Sequence, residues 1–158
     1  MYKKILVPLD GSKLAECVLN HVRTIARGCS VPEVVLFNVA TPIPPDWYAD
    51  IAPAEDSMAI FKAETDYQAW MKGYFSKIEE SLKQEGINAK SVLVKGEAAD
   101  NILDYAGKNG VDLIMMSTHG RSGPARWLMG SVADRVVRHA TPPVLVVAPP
   151  GCREASKK

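Results

Sequence analysis

Two short stretches of the chain combine residue types suited to a phosphate-bearing ligand. The first, Pro8-Leu9-Asp10-Gly11-Ser12, closes an apolar run. The second is Ser117-Thr118-His119-Gly120, followed by Arg121–Met129 and then Gly130-Ser131. Glycine lets backbone come close to a ligand, and the first N–H groups of a helix form an anion site. The Ser131 hydroxyl suits either a phosphate oxygen or the cap of its own helix. Between Ser117 and His139, Arg121, Arg126, Arg135 and Arg138 stand against Asp134, a local charge of +3. The plainer reading is that Gly120, Gly123 and Gly130 serve turns and that the arginines form a solvated helix face. Residue types alone do not decide between the two.

The familiar nucleotide fingerprints are missing. There is no GxxxxGK[ST], hence no lysine reaching a terminal phosphate, and Gly11 stands alone where a GxGxxG loop needs three glycines. Catalytic groups are sparse as well. Beside these stretches, Asp10 and His119 are the titratable candidates, and His119 reads as a loop residue bonded to backbone. His21 and His139 fall on helices. No Ser-His-Asp set or metal-ligand cluster emerges, so binding is expected instead of turnover.

Five strand-sized runs must position these stretches: Lys4–Val7, Val34–Val39, Ala89–Val94, Asp112–Met116 and Val144–Val147. Most are continuous Val/Ile/Leu/Met, as in strands covered by helices on both faces. Helical stripes lie between them. Leu14, Val18, Val22 and Ile25 follow Ser12 as N-cap. Tyr67, Met71, Tyr74, Ile78 and Leu82 precede a stop at Gly86. Ala99, Ile102, Leu103 and Ala106 end near Gly107 or Gly110, and Leu128, Val132, Val136 and Ala140 run up to Pro142-Pro143. The aromatic and Met positions of the second helix read as core packing, and Cys17 as a small core residue. Alternation of strand and helix predicts an α/β fold, a single open parallel five-stranded sheet with helices on both faces, Rossmann-like. In such sheets ligands bind beyond the carboxyl ends of the strands, where the order reverses. Thr41–Ser57, with four prolines and four acidic residues, reads as an irregular surface excursion.

Composition narrows the function classes. The 158 residues are 47% hydrophobic and 23% charged with a net charge of +1, the balance of one ordinary globular domain. That charge argues against nucleic acid or an anionic membrane as the main partner. The apolar runs are too short to span a bilayer, and the strand pattern begins at residue 2, leaving no room for a signal peptide. Cys17, Cys29 and Cys152 have no zinc or redox spacing and read as free thiols in the cytoplasm. The domain is expected over residues 1–148, with 149–158 a short polar tail.

Several ordered motifs together resemble the universal stress protein family. Tyr2–Ser12 is similar to the family's opening strand and turn. Ser117-Thr118-His119-Gly120, nine residues, then Gly130-Ser131-Val132-Ala133 resembles its ATP loop, G-x2-G-x9-G-[S/T]. Val94-Lys95-Gly96 and Pro143–Val147 resemble its third and closing strands. The resemblance implies sheet order 3-2-1-4-5 and a homodimer through Val144–Val147. It also implies ATP (or AMP or ADP), with or without Mg²⁺, held between the first and fourth strand ends. Pro8, Leu9 and Asp10 would line the adenosine end, with Val39 meeting adenine through its backbone. Met116, Ser117 and Gly120 would line the ribose and phosphate side, and Gly130, Ser131, Val132 and Ala133 would take the phosphates. The chemistry of such a ligand, not the resemblance, makes Asp10 or Ser131 the expected contacts to Mg²⁺. The implied role is a regulatory or sensor dimer in stress response with an unidentified protein partner. A slow ATP hydrolase or phosphotransferase and a nucleotide-free dimeric scaffold stand as alternatives. Ser117 occupies the loop's first glycine position. There it either strains a positive-φ backbone or sits in ordinary conformation with its hydroxyl available.

Overall fold

The computed structural model describes residues 1–40, 57–118 and 129–149, with side chains of the middle segment from residue 62 onward. The apolar runs form β1 (Lys4–Pro8), β2 (Glu33–Ala40), β3 (Ala89–Lys95), β4 (Leu113–Ser117) and β5 (Val144–Val147). Between them lie α1 (Leu19–Gly28), α2 (Ser57–Gln84), α3 (Ala98–Lys108) and α4 (Ser131–His139). All strand pairs are parallel, and the sheet order is β3-β2-β1-β4-β5, as expected.

Strand alternation divides the apolar residues between two layers. Ile5, Val7, Val34, Leu36, Leu113 and Met115 face α1 and α2, meeting Val18, Val22, Met71, Phe75 and Leu82. Leu6, Val35, Phe37, Ile114 and Met116 face α3 and α4, meeting Ala99, Ile102, Ala106, Ala133 and Val136. Each fully buried Leu, Ile, Phe or Met contributes about 1.5–3 kcal/mol, so the sheet is held from both sides.

Local signals set the element ends. α2 stops where Gly86 takes a positive φ of 76°, letting Ile87 N–H reach the Leu82 carbonyl at 2.9 Å. β4 starts one residue later than the sequence pattern predicts, because Asp112 turns its carboxylate onto the N–H groups of Lys3 (2.7 Å) and Lys4 (3.2 Å). Ser12 is not the N-cap expected of it: a short 3-10 helix, Ala15–Val18, with Leu14 as its N-cap, precedes α1, and the Ser12 hydroxyl accepts from Ala15 N–H at 3.2 Å in the turn before it. The tighter turn shifts the apolar phase. Leu14 is consequently 42% exposed, and the buried stripe is Ala15, Val18, Leu19, Val22 and Ala26. Cys17 is half-buried and not a core residue, with Sγ 3.9 Å from the Val147 carbonyl. Ser57 belongs to α2, while 41–56 lies outside the described residues, as do Leu128 and 150–158. Among the described residues no helix is long and apolar enough to cross a membrane.

The amino end of the sheet is held partly by charge. Glu33, first in β2, pairs with Lys4 of β1 (3.0 Å) and with Lys90 of β3. The Lys90 bond, then Lys4, holds the Glu33 carboxyl below its ordinary 4.5 against an opposing contribution from burial. A lowered folded value stabilises the fold above the unfolded value and loses that effect as pH falls through the folded one. Glu33→Gln is therefore expected to cost roughly 0.5–1 kcal/mol at neutral pH, and progressively less as pH falls below the ordinary carboxylate value. Urea unfolding of the two proteins across this range is the measurement, and an undiminished difference at acid pH would refute it.

Candidate functional site

The winding of the sheet reverses at β1, whose neighbours are β2 on one side and β4 on the other. β1 and β4 pair at Ile5↔Leu113 and Leu6↔Ile114, and their ladder does not extend to Pro8 or Ser117. The carboxyl ends of β1 and β4 beside this point are the position where open α/β sheets take ligands. Pro8 ends β1, with Leu9 and Asp10 following it; Met116 and Ser117 end β4.

The β1 end is a tightly built turn. Leu9 N–H donates to the Phe37 carbonyl (2.8 Å), and the Leu9 carbonyl accepts from the Asn38 side-chain amide (2.9 Å). Asp10 accepts Ser12 N–H on Oδ1 at 2.9 Å, folding the turn back on itself. Gly11 has φ of 81°, and a Cβ on it would lie 2.6 and 2.8 Å from Cη2 and Cζ3 of Trp70. The turn therefore requires glycine twice over, for its backbone and for the indole packed against it. Trp70, 47% exposed, stacks on Tyr74 (centroids 5.8 Å, 14°) and lies 6.2 Å from Tyr67. Burial, with the Glu16 and Asp10 carboxylates nearby, pushes the Tyr74 hydroxyl well above the ordinary tyrosine range, so it stays neutral.

The β4 end leads to α4. Thr118 N–H donates to the Val147 carbonyl (2.9 Å), and the Thr118 carbonyl accepts Gly130 N–H (2.8 Å). The two described ends on either side of 119–128 are thereby pinned together, and Gly130 becomes the N-cap of α4. Its carbonyl takes the first helical bond, from Asp134 N–H at 2.9 Å. Glycine brings no capping side chain, and Ser131, Val132 and Ala133 N–H have no acceptor within the helix. Three amide donors and the positive end of the helix dipole result. Gly130 has φ of −57° and ψ of 151°, a conformation open to any residue. What glycine supplies there is the absence of a side chain.

Of the residues expected at the site, Pro8, Leu9 and Asp10 lie at the end of β1 and Met116 and Ser117 at the end of the neighbouring β4. Gly130, Ser131, Val132 and Ala133 form the start of α4, and Val39 sits near the end of β2. Gly120 lies outside the described residues, as do His119, Arg121 and Arg126. Ser117 answers the question raised by its place in the loop. It is the last residue of β4 and has no positive φ, so its backbone carries no strain. It is 7% exposed, on the face opposite Met116 by strand alternation. The local charge is more modest than composition implied: Arg135 pairs with Asp100 (2.5 Å) and Arg138 with Asp134 (2.9 Å) on the exposed face of the helix layer. For these two arginines the solvated-face reading holds. Sequence reasoning missed Asn38 and Trp70; the available signal for Asn38 was one amide inside the apolar run Val34–Val39.

These features define a doubly wound α/β protein with a helix N-terminus following the strand beside its switch point. The universal stress protein family model matches residues 1–148, and the chain belongs to that family. Universal stress protein MJ0531 of Methanocaldococcus jannaschii is 33% identical over 157 residues, 95% of this chain and 84% of the relative. MJ0577 of the same organism is 32% identical over 155 residues, 93% and 95% of the two chains. Its solved structure matches at a TM-score of 0.82 with 30% identity, covering 96% of this chain and 99% of that one. Two more distant structures share the fold. One is a family protein from Arabidopsis thaliana with AMP bound, 14% identical, TM-score 0.66, 98% and 97% covered. The other is a universal stress protein in complex with cAMP, 21% identical, TM-score 0.60, 94% and 98% covered.

Gly11→Ala is expected to destabilise the protein by at least about 2 kcal/mol, from the left-handed backbone and the displaced indole together. Adding Trp70→Ala should relieve only the second part, so the double variant should be more stable than the two single losses added. Thermal melting of the three variants checks this, and strict additivity would contradict the contact.

Proposed function

We propose that this protein binds an adenine nucleotide, ATP foremost, in the crevice between the ends of β1 and β4. The observation that carries the reading is the start of α4. Gly130, tied to the Thr118 carbonyl, opens the helix ahead of the Ser131, Val132 and Ala133 amides and brings no side chain of its own. Those donors suit phosphate oxygens, and the Ser131 hydroxyl adds another. Pro8, Leu9, Asp10 and the Val39 backbone take the adenosine end, with Met116, Ser117 and Gly120 beside the ribose. That two structures of the same fold hold AMP and cAMP supports the ligand class. Mg²⁺ accompanies the phosphates in this reading, with the Asp10 carboxylate and the Ser131 hydroxyl as oxygen donors.

The protein acts through occupancy, not turnover. A helix N-terminus stabilises a bound phosphate in its ground state, whereas hydrolysis needs groups that strengthen in the transition state. The chain has no Walker lysine, and the carboxylate placed in this site, Asp10, is folded onto Ser12 N–H. Function is then regulatory, in a cytoplasmic dimer that a partner protein reads in its nucleotide-bound form. β5 supplies the dimer surface. It pairs with β4 alone, and all four of its residues are half-buried. Pro143 and Val147 carbonyls accept from Ile114 (3.0 Å) and Thr118 (2.9 Å), so the odd-numbered residues face β4 and Val144 and Val146 turn their N–H and C=O outward. Such an edge is completed by a second copy about a twofold axis.

Gly130→Val tests the pocket, since its backbone tolerates valine while the branched side chain blocks the amides. ATP affinity by isothermal titration should fall at least about a hundredfold in a folded variant, on the order of 2.7 kcal/mol or more. Unchanged affinity would sink the placement. Val146→Pro tests the dimer: it removes an outward donor and leaves the β4 ladder intact. Sedimentation at micromolar concentration should show a dimer for the natural chain and a monomer for the variant; a dimer in both would place the interface elsewhere.

A further inference from the structure

Asn38 is the one amide side chain in the buried sheet among the described residues, 2% exposed within a strand whose residues 34–37 are all apolar and buried. A buried primary amide is costly unless both ends find partners. Both do. Nδ2 donates to the Leu9 carbonyl at 2.9 Å, and Oδ1 accepts from the Tyr67 hydroxyl of α2 at 3.3 Å. These partners also fix which end of the amide is nitrogen.

The bond to Leu9 replaces one that the sheet would otherwise make. β1 and β2 run in register with Pro8 opposite Phe37, so Leu9 stands opposite Asn38. In a parallel ladder a residue donates to the partner strand one position earlier and accepts from it one position later. Leu9 N–H follows this rule, donating to the Phe37 carbonyl. The Leu9 carbonyl should then accept from Val39 N–H, and instead it holds the Asn38 side chain. Val39 N–H lies on the β1 side of β2, because Val34 N–H and the Ala40 carbonyl bond to the β3 side and odd-numbered residues point the other way. It makes no hydrogen bond to Leu9 and lies on that side past the end of β1.

We propose that Asn38 is a positioning residue: by taking the Leu9 carbonyl out of the ladder, it frees Val39 N–H as a donor to the ligand and holds the Leu9–Ser12 turn in place. The consequence for nucleotide binding rests on the reading above; the displaced ladder bond does not. Val39 N–H is then a backbone donor of fixed direction, suited to an aromatic ring nitrogen at the edge of a purine. Tyr67 satisfies the oxygen end of the amide, while the bond that displaces Val39 N–H is the one from Nδ2 to Leu9.

Amide hydrogen exchange in ligand-free protein tests the ladder directly. Val39 is expected to exchange at least tenfold faster than Val35, which points to the same side within the ladder. In Asn38→Leu the Leu9 carbonyl is released to Val39 N–H, and Val39 exchange should slow at least tenfold. Asn38→Ala carries the same expectation if the leucine variant does not fold. Tyr67→Phe keeps the donor to Leu9 and should leave Val39 within threefold of the natural protein. A Val39 amide already protected in the ligand-free natural chain, or one not slowed in either Asn38 variant, overturns the proposal. A general loss of sheet stability would speed exchange at Val39 and could not mimic the slowing. With ATP, the natural chain should protect Val39, and the Asn38 variants should lose at least tenfold in affinity; retained affinity in variants with a slowed Val39 refutes the role in binding. If the natural chain binds no ATP while the exchange pattern is as expected, the nucleotide reading falls and the displaced ladder bond stands.

Discussion

A parallel strand in the middle of a sheet has no face left for water, and β1 is the strand on which the rest of this structure is hung. Ile5, Leu6 and Val7 are completely buried, with α1 and α2 on one side and α3 and α4 on the other. Nothing polar can be carried along such a strand without a partner, so polar chemistry is displaced to its end. The reversal of winding at β1 then decides which end matters. β2 and β4 diverge from it to opposite halves of the sheet, and the proposed site lies where the β1–β4 ladder stops.

Backbone groups at these strand ends are disposed of one by one. Leu9 is held on both sides by β2, through the Phe37 carbonyl and the Asn38 amide. Thr118 is held by Val147 and Gly130, so β4, β5 and α4 meet at a single residue. Each buried group left without a partner would cost about 1–3 kcal/mol, which explains why side chains are recruited where the ladder fails. The amides at the start of α4 are the group that this scheme leaves open. Free N–H groups of this kind are what an anion completes in the proposed site.

Side-chain charge plays a smaller part. Arg135 and Arg138 engage Asp100 and Asp134, and Glu33 ties three strands together at the amino end of the sheet, away from the crevice. In the described part of the proposed site, attraction for an anion would therefore come from oriented backbone amides, which do not titrate and keep their direction. The aromatic residues of α2 act from the other side. Trp70 packs on Gly11 and Tyr67 on Asn38, so one helix braces both the turn after β1 and the amide that controls it.

Much of this was legible in the residues. Continuous Val/Ile/Leu runs separated by helical stripes give a parallel sheet covered on both faces, because burial on two sides erases alternation and short crossovers must be helical. The glycine before Ser131 and the turn after β1 were visible as ligand-suited ends, and the ordered motifs pointed to the family. Register and phase were not. Leu14 moved to the surface because one turn tightened to 3-10, Arg135 was neutralised by Asp100 from a different helix, and Ser117 proved unstrained because it ends a strand. Asn38 shows the limit most clearly. Its sequence neighbourhood marks it as an oddity, yet its two partners lie 29 residues away in opposite directions, Leu9 and Tyr67. Sequence fixes which groups exist and the local period that buries them; only the packed sheet decides which donor meets which acceptor, since that depends on strand register and on a helix laid across it.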